Sequence, residues 1–402
     1  NPRTVKPTIG MQILRAIRDV GNLPVDVIAG GVKGAITRPV QAAQMRRVLG
    51  RDAASFLLHA GGTANSDYAP QNAQEQEAYD YVLRSTGKAS DASSVAALVR
   101  LRSAYEADLS YATGDTLREA QAVRGLIGSA LMAQDVYYNG QVPHLLLTGT
   151  NRVSAEGLGQ YGLDSALLDR TGEGGSGYYA ALYTVAGESG VYLVNRGTTE
   201  DSRLPGQNLS QAIGDGAPIY SDAIRAARSL RRGYNGPITY VGHSLGGGLA
   251  AAQALVTGQR AITFNAAGVH ANTIGAYDTN FDRAAELIYA LNNDRDPLTF
   301  AQENKHFLGA GAEILFGPSG QVPIGPMHDA HDYAQRLERE APTAAGARHQ
   351  IEGYEVVPTA RPHLTRSAVG AVLYNHSMAG MVSSIYAHYV DPARTWVPAP
   401  PR

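Results

Sequence analysis

The chain has 402 residues, 44% of them apolar, and a net charge of −2; it is long enough to bury a sizeable core and lacks the basic field that nucleic-acid binding needs. It has no cysteine, which excludes a disulfide framework and thiolate chemistry, and its apolar runs are too short to span a bilayer. Tyrosine outnumbers phenylalanine 22 to 6, a bias that suits ordinary half-wet surfaces as well as a lipid or sugar interface.

Residues 1–110 read as helical, without a strand pattern. Met11, Leu14, Ile17 and Val20 keep helical spacing, and residues 25–40 are apolar and rich in glycine, suiting a close-packed helix or a segment that touches lipid. Residues 74–84 and 92–105 are expected as surface helices, and 117–137 as a strong helix ending near Asn139-Gly140. After a loop at 172–177, the runs 178–185 and 190–195 form a hairpin through Gly187-Glu188-Ser189-Gly190. The second run ends in Arg196-Gly197-Thr198, and a polar loop, 200–216, follows. An amphipathic helix comes next, with Ile219, Ala223, Ala227 and Leu230 on one face and Arg225, Arg228 and Arg232 away from it. Strands are expected at 238–241, 261–264 and 287–291, separated by helix or small-residue turns. Such alternation means a mostly parallel sheet with helices on both faces, and chemistry at the carboxyl ends of its strands.

The most informative stretch is Gly242-His243-Ser244-Leu245-Gly246-Gly247, between the strand at 238–241 and a helix of small residues. It contains Gly-x-Ser-x-Gly, the nucleophile elbow. A serine on so sharp a turn needs neighbours without side chains, which Gly242 and Gly246 supply. Ser244 then stands at a helix N-terminus, where free N–H groups favour developing negative charge. The alternative is a tight turn whose serine caps the helix. His243, beside the serine, is expected to pack rather than to act.

A serine nucleophile needs a base, and the base needs an orienting group, in the chain order Ser, acid, His. Asp296 is the best placed acid, following a strand and stiffened by Pro297; Asp294 is its competitor. Seven histidines follow Asp296, and His376 alone precedes a final helix face, Met378, Val382, Ile385 and Tyr389. His328 and His331 are the rival bases, ahead of a possible helix at 333–339; they could also pair as metal ligands, but no third ligand is evident. No metal or cofactor is expected.

Arg196-Gly197-Thr198, the elbow, Asn265-Ala266-Ala267-Gly268 and Asn293-Asp294-Arg295-Asp296-Pro297 together resemble the class 3 lipases, from about residue 120 to about 390. The family usually has an aromatic where this chain has Asn195, and often a glycine where it has Asn265. The resemblance implies an α/β-hydrolase that cleaves acyl esters of glycerides and phospholipids. It implies an oxyanion hole from the backbone N–H groups of Leu245 and Thr198, one donor following the nucleophile and the other on a loop ending a neighbouring strand. It makes 200–216 the lid. His376-Ser377-Met378 is similar to the histidine segment of bacterial members, including secreted effectors. A lipid substrate, a membrane surface and an inhibitory (immunity) protein are then the expected partners, without nucleic acid.

The expected division is a helical region, 1–110, that covers the site or meets a partner, and a catalytic α/β-hydrolase domain, 111–402, with lid-like loop 200–216 and an insertion at 300–360. The expected function is a serine lipase or phospholipase, secreted or delivered into a target compartment; no signal-peptide pattern is read, and the cytoplasm is the alternative. The other readings are an esterase or acyltransferase on a small soluble ester, and a membrane-perturbing toxin or binding protein on a non-catalytic hydrolase fold.

Overall fold

Short runs of β-branched and aromatic residues supply most of the strands. In the computed structural model, which describes residues 68–111, 114–199, 217–294, 296, 298, 299, 302, 342–351 and 377–389, seven strands form one sheet in chain order. They are β1 (Thr150–Arg152), β2 (Ala180–Val185), β3 (Val191–Asn195), β4 (Ile238–His243), β5 (Arg260–Phe264), β6 (Ile288–Asn293) and β7 (Ala347–Ile351). β1, β2 and β3 pair antiparallel, and the expected β2–β3 hairpin turns through Gly187 at φ 83°. From β3 to β7 every pairing is parallel.

Parallel neighbours need crossovers, and crossovers of one hand between strands laid down in order all fall on one face. That face is covered by α4 (Pro218–Gly233) and α5 (Leu245–Thr257), which share an apolar cluster with Leu182, Leu193, Tyr240 and Ala261. In α4 the expected stripe is buried, while Arg225, Arg228 and Arg232 are exposed. The opposite face must be closed by chain from before β1 and after β7. There α1 (Ala73–Thr86), α2 (Ala89–Tyr111), α3 (Gly114–Asp135) and α6 (Met378–Tyr389) form a second cluster with Tyr183, Val194, Val241, Phe264 and Leu291. Adjacent strand residues such as Tyr240 and Val241 therefore serve different cores, as the alternation of a strand requires.

This packing changes two expectations. The stretch 92–105 is helical but not a surface helix: Ala92, Val95, Ala96, Leu98, Val99 and Tyr105 are fully buried. A helix that is apolar round most of its circumference belongs inside. Each such Leu or Val is worth roughly 1.5–3 kcal/mol relative to exposure. Because the cluster crosses residue 110, residues 68–110 share one core with the helices 114–135 and 378–389 that cover this face of the sheet. The span 300–360 is not wholly an insertion either, since it holds β7, the strand that extends the sheet beyond β6. The readings for 11–20, 25–40 and 200–216 lie outside the described residues. Among the described residues no helix is long and apolar enough to cross a membrane.

The junction after α3 is set by a buried carboxylate. Asp135 accepts the Val142 N–H at 2.7 Å and the Tyr183 hydroxyl at 2.7 Å, with Arg152 Nη1 at 3.7 Å. Burial outweighs these partners and pushes its pKa up to about 6. A carboxyl whose folded pKa exceeds its unfolded value contributes most below the unfolded pKa, and that contribution is lost as pH rises through the folded one. Between pH 4 and 7 the unfolding free energy of Asp135→Asn should therefore gain on the wild type by roughly 2 kcal/mol, read from urea midpoints. A difference that does not vary with pH would mean that the carboxyl ionises normally in the folded protein.

Candidate active site

β4 ends at His243, α5 begins at Leu245, and Ser244 between them has φ 57° and ψ −127°. A non-glycine residue in that region stores strain of order 1–3 kcal/mol and persists only where its surroundings enforce it. The enforcement is visible. The Ser244 N–H donates to the Phe264 carbonyl at 3.0 Å, while its own carbonyl accepts from Gly247 N–H at 3.0 Å and Ala267 N–H at 2.9 Å. A Cβ on Gly242 would overlap the Gly246 carbonyl, and one on Gly246 would overlap the Asn195 carbonyl. Both glycines of the motif are thus required by close backbone approach, and the turn seats the serine at the N-terminus of α5.

The loop leaving β3 lies against this turn. Asn195 pairs with Gly242 in the parallel ladder, which brings Gly197 next to the elbow. A Cβ on Gly197 would lie 2.7 Å from the His243 carbonyl oxygen and 3.5 Å from Ser244 Cβ. Thr198 follows directly and is half-buried, and Leu245 is buried at the first position of α5. The two expected oxyanion donors thus belong to segments in contact. Arg196 is held beside them: its N–H donates to the Tyr179 carbonyl at 2.9 Å, and its guanidinium lies 4.2 Å from the Tyr179 ring centre.

The acid loop is tied to the elbow through β5 and β6. Asn265 takes a positive φ of 43°, which asparagine tolerates better than most residues and which accounts for asparagine standing where the resembled family often has glycine. Its side chain accepts the Asn293 N–H at 2.8 Å. Asp296 N–H in turn donates to the Asn293 carbonyl at 3.1 Å. The Asp296 side chain is fully buried and accepts the Thr299 N–H at 2.6 Å, whereas Asp294 is exposed. Of the two carboxylates, Asp296 is the enclosed one.

His376, His328 and His331 lie outside the described residues. The helix that follows His376 is present as expected: α6 begins at Met378, with the Ser377 hydroxyl accepting the Gly380 N–H at 3.1 Å. Asn293 Nδ2 donates to Ser384 Oγ on this helix at 3.4 Å, which fastens α6 to the carboxyl end of β6. Among the other late histidines, His349 lies in β7, stacked on Tyr289 at 4.3 Å, and burial lowers its pKa.

Two groups beside the elbow had no signal in the sequence. Asn195 closes a buried triangle: its Nδ2 donates to Gln253 Oε1 at 2.8 Å, and its Oδ1 accepts from Tyr178 Oη at 3.2 Å. Gln253 also donates to the Ala223 carbonyl at 2.9 Å, joining β3, α4 and α5. The polar residue at 195 is thereby satisfied in a place where an aromatic would only fill space. The second group is Tyr137, just past α3, whose hydroxyl lies 2.9 Å from His243 Nδ1. His243 is buried as expected, but it bonds as well as packs.

A mostly parallel sheet flanked by helices, with a strained serine at a strand-to-helix turn beside the loop of the preceding strand, defines an α/β-hydrolase. Residues 128–357 match the family of Tle-like phospholipase domains, and the chain belongs to that family. It is similar to an extracellular phospholipase A1 of Serratia liquefaciens, 37% identical over 193 residues, which cover 46% of this chain and 57% of that protein. The chain therefore spans little more than half the length of that relative. A solved structure, the Lip2 lipase of Yarrowia lipolytica, is 13% identical over 44% of this chain and 73% of that one, with a TM-score of 0.28. That likeness is too slight to carry weight, and the sheet order and the elbow establish the fold without it.

Proposed function

We propose that this protein is a phospholipase of the A type, a serine carboxylic-ester hydrolase with Ser244 as nucleophile, Asp296 as orienting acid and His376 as base. The observation that carries this reading is the strained elbow of Ser244, packed against the Arg196-Gly197-Thr198 loop, in a chain of the phospholipase family. The Ser244 Oγ attacks the ester carbonyl as His376 takes its proton, and Asp296 holds the imidazole and stabilises its charged form. The carbonyl oxygen becomes an oxyanion and is met by the N–H groups of Leu245 and Thr198; a donor of this kind lowers the barrier by about 3 kcal/mol. His376 returns the proton to the departing lysophospholipid oxygen. Water, activated by the same base, then releases the fatty acid and restores Ser244.

The test is product analysis on phospholipid vesicles and mixed micelles carrying distinguishable acyl chains at the two glycerol positions. Release of fatty acid and lysophospholipid in equal amounts is the expected result. Turnover of a short soluble ester such as p-nitrophenyl acetate, with phospholipid left intact, would replace this reading with a simple esterase. The similarity to an extracellular phospholipase supports action outside the producing cell, which is checked by assaying culture medium of intact cells. An inhibitory protein partner rests on the His376-Ser377-Met378 resemblance alone. It requires a stoichiometric complex in which a fluorophosphonate no longer labels Ser244; labelling unchanged by every candidate partner would remove it.

A further inference from the structure

The Tyr137 hydroxyl sits where two segments of the site meet. It is 2.9 Å from Nδ1 of His243, the residue before the candidate nucleophile. Gly197, immediately before the candidate oxyanion donor Thr198, packs against the same oxygen. The contact is close enough that a Cβ on Gly197 would overlap this hydroxyl. One oxygen therefore bridges the nucleophile elbow and the oxyanion loop. Burial raises the Tyr137 pKa, so the phenol stays a neutral hydroxyl, able to donate and accept together. Its own position is imposed from behind. Tyr137 lies in the turn between Asp135 and Val142 that the Asp135 carboxylate clips shut, with Tyr138 N–H donating to the Asp135 carbonyl at 3.0 Å.

We propose that Tyr137 is a positioning residue for ester hydrolysis, setting the distance between the Thr198 N–H and Ser244 Oγ by holding Gly197 and His243 on one hydroxyl. This rests on the serine-hydrolase reading above. Reaction geometry must hold to about 0.5 Å, and a misplacement of about 1 Å can lower a rate 10²-fold. The oxyanion exists only during reaction, so losing the bridge lowers kcat and leaves KM almost untouched.

The experiment compares wild type with Tyr137→Phe, which keeps the ring and removes only the oxygen, with concentrations set by fluorophosphonate titration so that only folded sites are counted. The expected result is a 10- to 100-fold lower kcat on phospholipid micelles, KM within about twofold, and a matching loss of affinity for an alkyl boronic acid, whose tetrahedral adduct fills the oxyanion hole. A residue that merely supports the fold would change the titrated fraction and not these constants. Wild type labelled at Ser244 together with a fully active Tyr137→Phe would overturn this proposal and leave the hydrolase reading standing. Active wild type that a fluorophosphonate never labels at Ser244 would overturn both. If Tyr137→Phe yields no titratable protein, His243→Gln, which keeps a polar atom toward Tyr137, replaces it. Retention of at least a tenth of wild-type kcat then supports the bridge when His243→Leu falls well below that, and equal activity of the two overturns it.

Discussion

Ser244→Ala should lower phospholipid turnover by about 10⁶ while leaving the thermal midpoint within a degree or two, and Asp296→Asn should lower it by about 10⁴. The difference in size has a physical basis. Removing Oγ removes the covalent route altogether. Replacing the buried Asp296 carboxylate by an amide leaves the groups in place but holds the base in the wrong tautomer. The members of one triad act as a unit, so the double variant should be hardly slower than Ser244→Ala alone. His376→Ala should fall with Ser244→Ala, whereas His331→Ala and His328→Ala keep most activity. Asp294 is exposed, and Asp294→Asn should be nearly silent. If Asp294→Asn is the slow variant, or if the single losses multiply in the double, the assignment of Asp296 fails.

The second large effect is on folding. Gly246→Ala should destabilise by more than about 4 kcal/mol, or give no soluble protein, because the new Cβ meets the Asn195 carbonyl, a backbone atom of β3 that cannot swing away. Gly242→Ala should do the same within the elbow, where the obstruction is the Gly246 carbonyl. Gly125→Ala is the internal control. It lies in α3, exposed, with nothing within 4 Å of the added Cβ, and should stabilise by about 0.5–1 kcal/mol through helix propensity. Unfolding in urea, followed by far-UV dichroism, compares the three. Gly246→Ala as stable as wild type would mean that β3 and α5 do not approach as closely as described.

What could be read without the fold lay in contiguous chain. The elbow is one strand, one turn and one helix, and Gly242 answers a steric demand made by Gly246 four positions away, whereas Gly246 answers to the Asn195 carbonyl on the neighbouring strand. The β2–β3 hairpin is likewise local, and so is the α4 stripe, which one helical period displays. The place of Asp296, the candidate acid, in the loop after β6 was readable because it follows that strand closely. Tertiary structure decided the rest. The burial of α2 follows from its packing with α1, α3 and α6 in a core that joins segments far apart in the chain. β7 alternates between half-buried and exposed positions along most of its length, and only its pairing with β6 makes it part of the sheet. Tyr137 and His243 are 106 residues apart, and Asn195 and Gln253 are 58. No periodicity or spacing joins residues so distant, because what brings them together is the parallel register of β3 with β4 and the packing of α3 and α5 on opposite faces of the same two strands.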